Sequence, residues 1–142
     1  DEARREVRAT HRLGPVAVRL NGDRAVASLA ATIDIPGTLD GVGVCLSSHA
    51  RFLYRVERRD GMWRLSSFEA FYLRDELHPQ LPGQAVPVRP EDVAGFRPSY
   101  RMLSLLLTRQ GYAVNDELPG IDRPETVDAM CREVYGWAGL EP

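Results

Sequence analysis

The sequence contains no lysine; all 18 of its basic residues are arginine. Schiff-base chemistry, which needs an amine nucleophile, is thereby excluded, and the bias itself reads as GC-rich coding. Cysteine is almost as scarce. Cys45 and Cys131 are the only two, too few for a disulfide framework and without the spacing of a metal site. They read as reduced thiols, which fits a cytoplasmic location. No apolar run is long enough to cross a membrane, and no signal peptide is expected. Neither sign of charge is in excess: 20 acidic against 18 basic residues leave −2, with the arginines scattered. A nucleic-acid footprint is therefore not expected. There is no nucleotide, phosphate or metal motif and no internal repeat, so no cofactor and no metal are expected.

What is present suits one α+β domain of 142 residues with an appended segment. The chain opens DEARREVRATH without Met, so it reads either as trimmed or as a segment of something longer. Residues 2–9 have the look of a helix's last turns. Pro15–Leu20 and Arg24–Ile33 read as strands joined by Asn21-Gly22, a dipeptide that favours the positive φ of tight hairpins. IPGTLDGVG reads as a loop. Strands within His49–Arg58 and over Met62–Tyr72 flank a second tight turn at Asp60-Gly61, which gives an antiparallel meander. A Pro-rich connector over 79–90 leads to two helices. Ser99 is placed to cap the first, whose run YRMLSLLL ends at Gly111. Asp122 and Glu125 form a capping-box pattern for the second, with Pro124 in its first turn. Val127, Met130, Val134 and Trp137 recur there at helical spacing, a packing stripe. The division falls at residues 1–83 for the sheet domain and 84–142 for the connector and helices.

An unbroken register at Asp60-Gly61 pairs Val56 with Leu65, Tyr54 with Ser67 and Phe52 with Glu69. Phe52, Tyr54, Leu65, Ser67, Glu69 and Phe71 then share an inner face with Val16, Val18, Ala25, Ala27, Leu29, Ala31 and Ile33. An apolar concave surface with a few polar groups has the character of a small-molecule pocket. Burial there raises the pKa of an unpaired carboxylate, which would fit Glu69 for acid–base work. The other reading of Glu69 is a sheet-edge carboxylate in water or paired with an arginine. Tyr54 and Ser67 would orient a substrate, with Phe52, Phe71 and Leu65 as apolar walls. His49 and His78 read as solvated, and Trp63 as packing opposite Arg58. The outward alternation of Arg51, Leu53 and Arg55 with Phe68 suits a homodimer formed through the outer sheet face.

The segments HRLGPVAVRLNGDRAVASLA, ARFLYRVERRDGMWRL and FYLRDELHP, in that order and spacing, resemble the SnoaL-like branch of the nuclear transport factor 2-like superfamily over residues 9–83. The C-terminal part, from SYRMLSLLLTRQGY to YGW, resembles an extension on bacterial members. The resemblance implies an α+β cone: a curved antiparallel sheet around helices, with a ligand cavity at its mouth. Members include polyketide cyclases, scytalone dehydratase and ketosteroid isomerase, and also adaptors without catalysis, so the fold leaves function open. His11 matches the histidine that opens the corresponding strand in the dehydratases, where the likeness implies a general acid/base beside a substrate carbonyl. Its other reading is a ring bonded to nearby backbone. Asp34 is the nearest substitute for a second histidine of those enzymes, though the register points it outward; Glu69 is the counterpart of a cyclase pocket acid. The resemblance also implies N-terminal helices that plug the cone, and the sequence begins about where the last of them is expected to end. The expectation is thus a binder of a small hydrophobic or aromatic molecule that carries out cofactor-free dehydration, isomerisation or cyclisation through His11, Glu69 and Asp34. Its alternative is a non-catalytic ligand-binding or dimerisation module.

Overall fold

The computed structural model describes residues 9–142, so the helical end expected over residues 2–9 falls, but for Ala9, outside the described residues. Five antiparallel strands form one sheet: β1 (Thr10–Leu13), β2 (Ala17–Asn21), β3 (Arg24–Leu39), β4 (Val42–Arg59) and β5 (Met62–Pro79). β1 and β2 lie in tandem along one side of β3, followed by β4 and β5. Three helices follow, α1 (Pro90–Val93), α2 (Arg101–Arg109) and α3 (Pro124–Trp137), with a 3-10 turn at Pro98–Tyr100 ahead of α2.

The meander is as expected, but its strands are far longer. The segment IPGTLDGVG is no loop. β3 runs through it to Leu39, turns at Asp40-Gly41 with both φ positive (47° and 80°), and returns as β4. This is the turn geometry of Asp60-Gly61, whose φ values are 52° and 75°. Among the described residues β1 pairs with β3 only as far as Asp34, so Pro36 lies where β3 has β4 as its one described neighbour, a place that tolerates proline. The first hairpin also turns one residue later than expected. Asn21 pairs with Arg24, and Gly22 takes the positive φ at the first turn position. Asn21 is held in that pairing by its amide, which donates to the Ala138 carbonyl at 2.8 Å. Pairing slips by two residues, so Val18, Ala25 and Ala27 keep the face expected of them.

The decisive correction is in β5. Val56 pairs with Leu65, as expected, but Arg55 pairs with Ser67, which leaves Ser66 as an extra residue in a β-bulge. Because side chains alternate with period two, every residue after Ser66 changes sides relative to an unbroken register. Phe68, Ala70 and Tyr72 thereby join Phe52 and Tyr54. Ser67, Glu69 and Phe71 join Arg51, Leu53 and Arg55 on the other face. A second irregularity, between His49 and Ala50, inserts Leu73.

Each face is covered at one end. α3 lies on the face of Val26, Leu53 and Phe71, with Met130, Val134 and Ala138 buried against them and Val127 and Trp137 beside them, as the helical stripe predicted. Burying a side chain of this size contributes roughly 1.5–3 kcal/mol. α2 lies on the opposite face at the far end, where Leu105 packs with Leu39, Val44 and Val93. Between α2 and the Gly22 end, none of the described residues packs over that second face. Its β1–β2 side presents Leu13, Val18 and Leu20, and its β5 side Trp63, Leu65 and Phe68, all exposed.

Helix starts are also tertiary. Ser99 does not cap α2; its hydroxyl accepts the N–H of Asp122. The first N–H groups of α2, those of Met102 and Leu103, donate to the Asp75 carboxylate of β5 at 3.1 and 2.9 Å. Asp122 forms no capping box with Glu125. α3 begins at Pro124, and Asp122 is taken by Arg97 at 2.8 Å. No described helix is long and apolar enough to cross a membrane.

Candidate functional site

The second face holds a cavity of about 350 Å³ lined by His11, Ile33, Ala50, Phe52, Tyr54, Phe68, Ala70 and Tyr72. Four strands build it. His11 pairs with Ile33, Ala50 with Tyr72, Phe52 with Ala70 and Tyr54 with Phe68. Alanines at 50 and 70 make the hollow, and three aromatic rings form one wall. Phe68 stands edge-on to Phe52 at 4.8 Å between centroids and lies 5.1 Å from Tyr54. On the other side Tyr72 packs on Tyr100 at 5.3 Å. Burial, and then the neighbouring Tyr100, push the Tyr72 phenol up. It therefore stays protonated at neutral pH and can act as a hydrogen-bond donor.

Backbone pairing fixes Tyr72 from outside the sheet. Its N–H donates to the Pro119 carbonyl (2.9 Å), and its own carbonyl accepts from Ile121 (3.0 Å). The strap that carries Pro119 and Ile121 is held by Arg97. Its guanidinium donates to both Asp122 oxygens, to the carbonyls of Asp116 and Leu118, and to the Tyr100 hydroxyl, at 2.7–3.1 Å. Arg97 is 6% exposed, so a side chain in the core sets one wall of the cavity. Arg97 also holds the Asp122 carboxyl down at about 2, by hydrogen bonding first and charge second. Gly120 must lack a side chain, because a Cβ there would stand 2.6 Å from Asp122 Oδ1 and 2.9 Å from the Ser99 Cβ.

The expected site residues divide between the two faces. His11, Phe52 and Tyr54 line the cavity. Leu65 shares their face but stands exposed beyond the cavity. Glu69, Ser67 and Phe71 are on the other side, for the bulge has rotated them away. Phe71 is buried under α3. The oxygens of Ser67 and Glu69 each accept from Arg55 Nη1 at 3.0 Å, and Glu133 of α3 stands 3.5 Å from Nη2. The arginine-paired reading of Glu69 is the one the coordinates give. Asp34 points outward, as the register had it. It accepts from Arg12 at 2.7 and 3.1 Å and from the Ser47 hydroxyl at 2.6 Å, and these bonds hold its carboxyl below the usual range. His11 is therefore not brought together with either carboxylate. The outward patch expected of Arg51, Leu53, Arg55 and Phe68 is also not one surface: α3 covers Leu53, and Phe68 is on the opposite side.

Phe68, Ala70 and Tyr72 were missed as site residues because nothing in SSF announces a bulge. His49 was missed differently. Far from being a solvated strand end, it has Nδ1 3.0 Å from the Thr32 hydroxyl and Nε2 3.1 Å from Glu76, whose other oxygen is 2.8 Å from His78 Nε2. Arg74 also reaches Glu76. Burial, then Arg74 and Arg12, push the His49 pKa down, which keeps the ring neutral at pH 7 with Nδ1 free to accept the Thr32 proton. A hydroxyl, a base and an orienting carboxylate are the components of an activated nucleophile. They sit here on the sheet surface, away from the cavity described above, and tie β3, β4 and β5 together. Cys45 and Cys131 are free thiols, as expected, and burial pushes both up. Among the described residues no cluster of His, Cys, Asp and Glu has the geometry to hold a metal.

No protein-family profile matches the chain. It is similar to two curated proteins of the fungus Fusarium vanettenii. A PEP2-like protein is 26% identical over 127 residues, 84% of this chain and 54% of the relative. Pea pathogenicity protein 2 is 26% identical over 104 residues, 72% of this chain and 45% of that protein. The chain thus spans about half the length of the curated relatives it matches.

Proposed function

We propose that this protein binds a small hydrophobic or aromatic molecule in the cavity between His11 and Tyr72, and that it does so in a cone of the SnoaL-like, nuclear transport factor 2-like kind. One observation carries the reading: a 350 Å³ hollow whose floor is alanine, whose wall is three aromatic rings and whose polar groups are one imidazole and two phenols. That composition suits a largely apolar ligand with one or two polar substituents for orientation. Binding without turnover is the primary function. Among the described residues no carboxylate faces His11 in the cavity, and acid–base exchange at a carbonyl calls for a second group of matched pKa. A second reading, favoured by the place of His11 on the cavity wall, is proton transfer by that ring alone, with a tyrosine hydroxyl polarising the carbonyl. The two free thiols support the reading of a cytoplasmic location. The relatives' names tie one of them to pathogenicity on pea, a role not extended to this chain.

The test is a titration with 2-naphthol followed by the alanine methyl resonances. Ala50 and Ala70 should shift saturably while Ala25 and Ala27 stay in place, and Ala70→Trp, which fills the hollow, should abolish the response. Shifts confined to Ala25 and Ala27, or a response unchanged by Ala70→Trp, would overturn the reading.

A further inference from the structure

On the face that carries α3, a hydroxyl, an imidazole and a carboxylate line up across three strands. Thr32 of β3 pairs with His49 of β4, and the Thr32 hydroxyl lies 3.0 Å from His49 Nδ1. His49 Nε2 is 3.1 Å from an oxygen of Glu76 on β5. A carboxylate only accepts, so Glu76 holds the ring proton on Nε2 and leaves the Nδ1 lone pair facing the threonine. We infer that Thr32 is an acyl acceptor, a nucleophile that takes the acyl group of an activated ester with His49 as its base. The inference stands independently of the ligand reading above, for neither residue lines the cavity between His11 and Tyr72.

A neighbouring hydroxyl shows why Thr32 is singled out. Ser47, on the same face of β4 as His49, donates to Asp34 at 2.6 Å. Bonds from Arg12 and from this serine hold that carboxyl below its usual range. So weak a base does not take a hydroxyl proton near neutrality, whereas an imidazole is the side chain suited to that task. Thr32 and His49 are both half-buried, so their strands fix the pair while part of it stays in reach of solvent. Two guanidiniums flank it: Arg12 stands opposite Thr32 in β1, and Arg74 opposite His49 in β5. Positive charge on either side favours the anion that develops on an ester carbonyl oxygen under attack.

The reaction needs only the ester and water. Thr32 Oγ1 adds to the ester carbonyl while its proton passes to His49 Nδ1. Collapse of the adduct breaks the bond to the leaving oxygen, which departs with that proton, and Thr32 keeps the acyl group as an ester. Water then cleaves this ester. Its hydroxyl joins the acyl carbon, its other proton reaches Thr32 Oγ1 through Nδ1, and a carboxylic acid is released.

The experiment uses 4-nitrophenyl acetate at neutral pH. Steady-state nitrophenolate release is followed by absorbance, which sets aside the single turnover of a thiol or the terminal amine. Acid-quenched samples are digested after arginine, and fragmentation of the peptide of residues 25–51 locates the acetyl group. Release should fall at least about 100-fold in Thr32→Val and in His49→Gln, the usual share of a positioned base and its nucleophile. Any acetyl trapped on a hydroxyl of that peptide should be on Thr32 and not on Ser47. Thr32→Ser, which keeps the hydroxyl, should retain turnover, with circular dichroism unchanged; it carries the test should valine disturb the sheet. Steady-state release that Thr32→Val or His49→Gln leaves unchanged overturns the inference. So do a wild-type rate no greater than that of buffer, acetyl on Ser47 in place of Thr32, and loss of turnover in a folded Thr32→Ser chain.

Discussion

Phe52 of β4 and Phe68 of β5 meet edge to face, 4.8 Å apart, although an unbroken register would set them on opposite sides of the sheet. Ser66 makes the encounter possible. As the extra residue of the bulge it rotates the rest of β5, and the aromatic wall of the cavity and the ion pair of Arg55 with Glu69 follow from that one insertion.

Deleting Ser66 tests that register directly. In the structure the bulge residue is surplus, so its removal leaves Val56 opposite Leu65 and Arg55 opposite Ser67 in a regular ladder. The ring contact between residues 52 and 68 should persist in NOE spectra, with Tm within about 5 °C of wild type. Were the ladder unbroken to begin with, the same deletion would turn Phe71 out of the core. The cost would then be several kcal/mol, about 3–5 for the loss of a buried phenylalanine.

Arg97→Met should destabilise the protein by about 3–5 kcal/mol, because it leaves the Asp122 carboxylate and two strap carbonyls buried without a donor. The tyrosine near-ultraviolet dichroism should change with it, since the strap pairs with Tyr72. Urea unfolding gives the first quantity. A loss under 1 kcal/mol would mean that the strap is held by something else.

Asp122 also predicts an acid limit. Its folded pKa of about 2 is below its ordinary value of 3.8, so the carboxylate contributes stability above the ordinary value and loses it as pH falls from about 4 to 2. A shift of that size corresponds to about 2 kcal/mol. Urea midpoints at pH 5, 4, 3 and 2 should decline over this window in wild type, and the decline should be shallower in Asp122→Asn.

Asp75 holds the N-terminus of α2 from β5. Burial pushes its carboxyl up, against the pull of the two N–H donors. Asp75→Ala removes an acceptor from two helix N–H groups and should cost about 1–2 kcal/mol, the usual range for a lost cap. Asp75→Asn, which keeps one acceptor, should lose less. Amide exchange at Met102 and Leu103 locates the effect; unaltered protection there in the alanine variant would argue against the cap.

His49 gives the opposite end of the pH scale its feature. Its folded pKa is depressed below 6.5, so the unfolded chain takes up the proton first, and stability falls as pH drops from about 6.5 toward the folded value. His49→Gln should remove that part of the profile. An identical slope in both proteins between pH 7 and 5 would assign it to another group.

Much of the architecture is local in origin and was readable from the chain. Asp60-Gly61 announced a tight hairpin, alternation set the faces of β3, and the spacing of Val127, Met130, Val134 and Trp137 named the buried side of α3. The loop expected over IPGTLDGVG shows where local reading fails. Pro and Gly are breakers on average, but Asp40-Gly41 is a hairpin turn and Pro36 is on an edge. Ser99 and Asp122 have the chemistry of caps, yet both were taken by partners more than 20 residues away.

The candidate site divides in the same way. Phe52, Tyr54 and His11 precede the bulge along the chain, and their faces follow from alternation alone. Glu69, Ser67 and Phe71 come after it. The sequence by itself determined an antiparallel meander with one apolar face, because turn dihedrals and side-chain alternation are properties of neighbouring residues. Only the tertiary structure decided which half of β5 joins that face. A bulge costs little locally, and the packing of Phe71 under α3 and of Phe68 against Phe52 selects it.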